Sequence, residues 1–386
     1  MQTEAAEALV KWSLCSEPGD EFAGLMRQAF GAEESMRLIC DGNGARIIGA
    51  VQDCGFADMA VERFGDLTKV VVDSLERWTP RMTKNSLSTA LAMIESGRFH
   101  LISQEHQFWP QSLEDLNWAA PAALWVAGST GTLQDADRSV AMVGSRTATT
   151  YGNMVTNDLV SGLAEYEYAI VSGGAYGIDA IAHQAALSLD NPTIAVMAGG
   201  LDKLYPSGNQ LLLEKIANRW AVVSEMPPGS TPTKWRFLQR NRLIAAMTQV
   251  TVVVEAGWRS GSINTANHAS SLSRPVAAVP GPISSPASAG CHRLIREGVA
   301  DLVTCSDDIR ELLGHTSATL EFENGNLGPL EKRAKDALTK AWQTLESIAA
   351  KAGLTHGEAR LALTSLEVAA LAEASMRGWR QTGSNL

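Results

Sequence analysis

Apolar and polar positions change their period twice along the chain. Up to residue 98 the apolar residues recur at helical spacing, in runs such as LVKWSL, FAGLMRQAFG and TKVVVDSLERW set apart by glycines. No strand-like alternation interrupts them. The stretch 99–129 predicts a short strand, a turn and an apolar strand over 122–127 that leads into a central sheet. From residue 139 short β-rich runs follow one another: SVAMV (139–143), AIV (169–171), TIAVM (193–197), AVVSE (221–225), VTVVVEA (250–256), PVAAVP (275–280) and DLVT (301–304). Between them, 152–164, 178–189, 207–217, 237–247 and 263–273 have helical patterning. Strands alternating with helices imply βαβ units and a mostly parallel sheet covered on both faces. Residues 312–330 lack periodicity and predict a linker, and 331–386 return to amphipathic helices in a length suited to a three-helix module. The predicted organisation is therefore 1–98 helical, 99–311 α/β, 312–330 linker and 331–386 helical.

Composition narrows the function. No apolar run approaches the roughly 20 residues a membrane helix needs, and the N-terminus MQTEAAEALVKW lacks a basic-then-apolar signal pattern. Cys15, Cys40, Cys54, Cys291 and Cys305 are odd in number and scattered, which predicts neither disulfides nor a zinc site and fits a cytoplasmic protein. The net charge of −10 argues at first against a polyanionic partner. Its distribution reverses that inference. Residues 1–137 hold 20 acids and 10 bases, residues 138–310 hold 13 acids and 14 bases, and residues 331–386 hold 6 acids and 8 bases. Phosphate binding depends on local clustering, and residues 234–242 carry four cations and no acid.

An open parallel sheet of this Rossmann-like kind binds ligands beyond the carboxyl ends of its strands. Four loops there are rich in glycine or serine: Gly144-Ser145-Arg146, Ser172-Gly173-Gly174-Ala175-Tyr176-Gly177, Gly199-Gly200 and Ser260-Gly261-Ser262. Glycine lets backbone approach a ligand, and the following helix N-terminus offers free N–H groups to phosphate. Glycine is equally the default for a tight turn, so one such loop says little; four on one edge, one with an arginine, say more. A dinucleotide site would need G-x-G-x-x-G after the first strand and an acid ending the second. The first loop reads GSRTAT and the second strand ends in Ser172, so no cofactor is expected.

Lys234, Trp235, Arg236, Phe237, Arg240, Asn241 and Arg242 interleave cations with aromatics. Backbone phosphates need cations and unstacked bases need flat faces, so the mixture suits single-stranded nucleic acid. The plainer alternative is a solvated basic face with Trp235 and Phe237 in the core. Trp258-Arg259 is a second, weaker stacking candidate. Asp179 and His183 stand four apart on a predicted helix; capping, or Asp179 holding the His183 ring, accounts for them without a metal or catalytic role. Glu225 and Glu255 end strands, where such acids bond loop amides or pair with an arginine such as Arg240 or Arg242.

The strings MVGSRTATTYG, VSGGAYGIDAIAHQAAL, TIAVMAGGLDKLYP, SEMPPGSTP, RNRLIAAM, VVVEAGWRSGSINTA and RPVAAVPG resemble, in order and spacing, the DNA-processing protein A family, DprA/Smf. The resemblance implies an extended Rossmann fold, a helical SAM-like N-terminal domain and a C-terminal winged helix. It implies a homodimer that binds single-stranded DNA and loads the RecA recombinase in natural transformation. By motif, Arg146 and the Arg240-Asn241-Arg242 element would line the DNA groove, with Lys234 and Arg274 adding phosphate contacts. This chain departs from the family pattern at Tyr176, where an arginine is usual, and at Leu238, where proline usually follows the phenylalanine. The rival is an N-glycosidase of the phosphoribohydrolase type, whose P-G-G-x-G-T-x-x-E motif has no counterpart here: residues 258–265 carry no acid. A binding protein without catalytic residues is the expectation.

Overall fold

The computed structural model describes residues 3–315, 327–369, 371–375 and 377–382. Contacts divide the chain into two units, at residues 315 and 316. The first begins with six helices: α1 (Thr3–Cys15), α2 (Glu21–Asp41), α3 (Gly44–Asp53), α4 (Ala57–Phe64), α5 (Leu67–Trp78) and α6 (Lys84–Glu95). Short polar breaks end each one, and Asp20, Asn43, Asp66 and Thr83 cap the next by accepting a backbone N–H of its first turn.

The chain then lays down β1 (His100–Ile102) and β2 (Leu124–Gly128) and enters the alternating region. Its order is β3 (Ser139–Val143), α7 (Thr150–Ala164), β4 (Ala169–Ser172), α8 (Ile178–Ser188), β5 (Thr193–Met197), α9 (Gln210–Arg219), β6 (Ala221–Ser224), α10 (Lys234–Met247), β7 (Val250–Val253), α11 (Gly261–Ser271), β8 (Val276–Ala278), α12 (Ala289–Arg296), β9 (Asp301–Leu302) and α13 (Ser306–Leu312). These strands form one sheet in the order β1-β2-β6-β5-β4-β3-β7-β8-β9. Pairings from β6 across to β9 are parallel, while β1 and β2 add an antiparallel edge. The strands read as continuous apolar runs because both faces are buried. Val140 and Met142 of β3 pack with α7, α8 and α13; Ala141 and Val143 pack with α10 and α11. The N-terminal helices are not separate from this sheet: Leu9, Val10 and Ala90 share a core with Trp125, Ala195 and Met197.

Sheet order decides where a ligand can sit. From β3 the chain progresses outward through β4, β5 and β6, then crosses back to lay β7 on the other flank of β3. The loops after β3 and β7 therefore diverge to opposite faces and leave a crevice at the carboxyl ends.

The second unit holds α14 (Pro329–Ala337), α15 (Leu345–Ala352), α16 (His356–Val368) and an antiparallel hairpin of β10 (Ala372–Ser375) and β11 (Gly378–Gln381). It has its own core, with Ile348, Leu363 and Leu366 at the centre. The hairpin adds to the three helices expected from the pattern. Most of the expected linker, residues 316–326, lies outside the described residues.

Candidate nucleic-acid interface

The crevice between the β3 and β7 loops opens as a cavity of about 390 Å³, lined by Gly144, Ser145 and Arg146 on one side and Ser260, Gly261 and Ser262 on the other. Arg240, Asn241 and Phe237 of α10 also line it. Each loop is built to hold its shape. Gly144 admits Ile178, since a Cβ there would fall 2.5 Å from that side chain. Ser145 Oγ accepts the Thr147 N–H at 3.2 Å. Thr149 caps α7, and its backbone N–H and hydroxyl both donate to Glu255, at 3.0 and 2.6 Å. Asn241 donates to Asn264 at 3.1 Å and to the Gly261 carbonyl at 3.4 Å, tying α10 to the first turn of α11.

The cations differ sharply in what they are free to do. Arg146 is exposed and lies 5.3 Å from the centre of the Phe237 ring; Arg240 approaches the same ring at 5.9 Å. Two guanidinium groups thus flank one aromatic ring in the cavity wall. Arg240 is buried and donates to the carbonyls of Gly173, at 2.8 Å, and Val196. Burial pulls its pKa down to about 10, with Asp179 opposing, so it stays charged at neutral pH. Asp179 accepts the N–H groups of Gly173 and Ala175; burial raises its pKa, against the pull of Arg240. His183 turns instead to Thr193, at 2.7 Å, so Asp179 does not hold the His183 ring. Lys234 and Trp235 project from the first turn of α10, and Trp235 is 57% exposed, which removes the core reading of that residue.

Five expected contacts need correction. Arg242 is 2% exposed and bound to Glu225 at 2.7 Å, so it is a buried ion pair rather than a groove cation. Arg236 gives both donors of its fork to Glu17, at 2.9 and 2.8 Å. Arg274 donates to the carbonyls of Ala245, Ala246 and Thr248 and pairs with Asp115 at 2.7 Å; it closes the C-terminus of α10 instead of reaching a phosphate. Gly173 and Gly174 are buried, and their glycine character serves packing: a Cβ on Gly173 would fall 2.4 Å from the Arg240 guanidinium, and Gly174 has φ of 63° beside Leu213. Gly199 and Gly200 likewise face the 227–232 loop. Of the four glycine loops, the GSR and SGS loops line the cavity with all their residues, the 172–177 loop reaches it through Ala175, and Gly199-Gly200 is not in its lining.

Two participants carry no clear mark as site residues in the sequence. Arg259 is exposed on the cavity rim, and Tyr205 packs against Phe237 with ring centres 5.7 Å apart and planes tilted by 55°. The Trp258-Arg259 pair ahead of Ser260 is the available signal for the first; nothing in the spacing points to Tyr205. A larger groove of about 900 Å³ lies beside α2, but Glu33, Glu34, Glu105 and Glu114 outnumber Arg27 and Arg37 in its lining, and that charge repels phosphate. No group of metal-ligating side chains occurs among the described residues, and none of their helices is long and apolar enough to cross a membrane.

Sheet order and crevice define a Rossmann-like α/β protein with a cationic cleft at its topological switch point. Residues 100–314 match the family model described as DNA recombination-mediator protein A, and the chain belongs to that family of DNA-processing proteins. A DprA relative from Mycobacterium tuberculosis is 47% identical over 268 residues, covering 68% of this chain and 69% of its own. The DNA processing protein DprA of Bacillus subtilis is 36% identical over 210 residues, or 54% of this chain and 69% of its own. Among solved structures, DprA from Streptococcus pneumoniae superposes with a TM-score of 0.60 at 31% identity, covering 80% of this chain and 97% of that one. DprA from Helicobacter pylori, solved for its single-stranded DNA binding mode, gives 0.50 at 29% identity over 56% of this chain and 95% of that one.

Proposed function

We propose that this protein is a non-catalytic recombination mediator that binds the backbone of single-stranded DNA in the β3/β7 crevice. The observation that carries the reading is the Phe237 ring flanked by Arg146 and Arg240 in the cavity wall. A single strand offers phosphates and unstacked bases together, and this wall offers cations and a ring together. In duplex DNA the bases already stack on one another and leave the ring unused. The two acids nearest the crevice support binding over hydrolysis, because Glu255 and Asp179 are engaged by loop amides.

Bound strand would be shielded from nucleases and handed to the RecA recombinase, in natural transformation or in repair, by a cytoplasmic homodimer. Two crevices on one strand raise the effective concentration of the second contact, which supports a dimer. A gel shift of poly-dT against duplex of equal length, with and without RecA, tests the reading. Preference for poly-dT and faster filament growth are the expected results; equal binding to duplex overturns it. Release of free base from nucleoside monophosphates would overturn the non-catalytic part alone.

A further inference from the structure

Trp258 stands at the far rim of the same crevice, between Gly257 and Arg259, which both line the cavity. A large indole at a loop tip is normally buried, yet this one is 54% exposed. It is not loose. Arg293 of α12 lies over the ring, 5.3 Å from its centre, and is itself held at 3.2 Å by Glu297. The loop beneath is pinned: Ala256 donates to the Ala287 carbonyl at 2.8 Å, Gly290 to the Ala256 carbonyl at 2.7 Å, and Ser260 to the Gly257 carbonyl at 3.0 Å. A fixed, half-open ring beside an exposed arginine is what a base-stacking platform requires, because little ordering remains to be done when the base arrives.

We infer that Trp258 is a second nucleobase platform, taking the base of a nucleotide that follows or precedes the one held at Phe237 along the same strand. The inference rests on the crevice reading above and extends it: the strand would run across the cavity from the α10 side to the α12 side, with Arg259 on its backbone. The ligand is a stacked base of any identity, since every base has a π-face.

The test compares wild type, Trp258→Ala and Trp258→Phe on oligo-dT and on an abasic deoxyribose-phosphate strand of equal length, with melting curves alongside. On oligo-dT, Trp258→Ala should weaken binding about 5- to 150-fold, the range of one base–aromatic stack. Trp258→Phe should recover most of it. On the abasic strand all three proteins should bind alike, and the salt dependence should not change. Equal affinity of Trp258→Ala and wild type for oligo-dT, with Arg146→Ala weakened, sinks the platform and leaves the crevice standing. An equal loss on the abasic strand also sinks it, since the ring would then act through the backbone or the fold. If Arg146→Ala binds like wild type as well, the crevice reading itself has failed.

Discussion

Arg146 is the exposed partner of Phe237 and follows directly on the Gly144-Ser145 turn in the chain. Its planar fork can grip two phosphate oxygens, which a lysine cannot do. Arg146→Ala should remove one charge-assisted contact worth about 1.5–3 kcal/mol. The same change should flatten the logarithmic salt slope on single strands by about 0.7. Three exposed cations are placed to meet the proposed strand: Arg146 and Arg259 in the crevice lining and Lys234 in the first turn of α10. They give a total slope of about −2.1, or roughly a twentyfold loss between about 50 and 200 mM salt. Trp235→Ala should cost about 1–3 kcal/mol of binding with that slope intact. Salt titrations on oligo-dT separate the two effects, and a salt-independent affinity would refute the electrostatic account. A different residue contributes to acid stability. His183 is fully buried; Thr193 donates its hydroxyl to Ile170 and accepts the Nδ1 proton of the ring. Burial pushes the His183 pKa down to about 3. The unfolded chain takes up a proton near its ordinary value of about 6.5, while the folded ring stays neutral. Stability is therefore complete above that value and falls as pH drops towards 3, by up to about 1.4 kcal/mol per unit. Asp179, with its raised pKa, contributes in the opposite sense above the ordinary aspartate range. Urea unfolding from pH 7 to 5 should show the decline, and His183→Asn should flatten it.

The helices and strands were largely legible, because each buried strand and each amphipathic helix writes its own period: all seven β-rich runs from 139 to 304 correspond to strands, and all five helical segments to helices. What the pattern could not give was the partner of each arginine in and beside α10. Arg240, Arg242 and Arg236 look alike in sequence, but Val196, Glu225 and Glu17 come from 17 to 219 residues away. The same blindness hid Arg274 as the closure of α10. That role makes a prediction: Arg274→Ala leaves several helix-end carbonyls without a donor, and should cost about 1.5–3 kcal/mol of stability. Folded Arg274→Ala should keep wild-type affinity for DNA; a loss of affinity with unchanged melting would restore it to the interface. Glu17 works in the other direction. Placed between α1 and α2, it binds Arg236 twice and Arg81 once, and despite burial these arginines hold its carboxyl below the usual range. Glu17→Gln should free Arg236 for phosphate and steepen the salt slope by about 0.7. An unchanged slope would mean that Arg236 cannot reach the strand.

At the scale of the molecule, none of the acids of residues 1–137 lines the crevice, and Glu17 is paired with Arg236 of α10, so a net charge of −10 coexists with a cationic cleft. The crevice is complete within the first unit, since every residue lining it falls between 143 and 265. The second unit has its own core and is nearly neutral, with 8 bases and 6 acids over residues 331–386. Its α16 carries Arg360 as its one lysine or arginine and exposes Leu361 and Val368. A helix that reads DNA normally adds several phosphate or base contacts, and one arginine supplies at most one of them. A chain ending at His315 should therefore fold and bind oligo-dT within about threefold of the full protein, with the salt slope unchanged. Calorimetry should show the full chain losing one small, separate transition on truncation, as two units with independent cores require. A loss of affinity beyond about tenfold, with the main transition intact, would assign part of the DNA contact to the second unit. Arg360→Ala in the full chain would then show whether that contact is electrostatic, by flattening the slope by about 0.7.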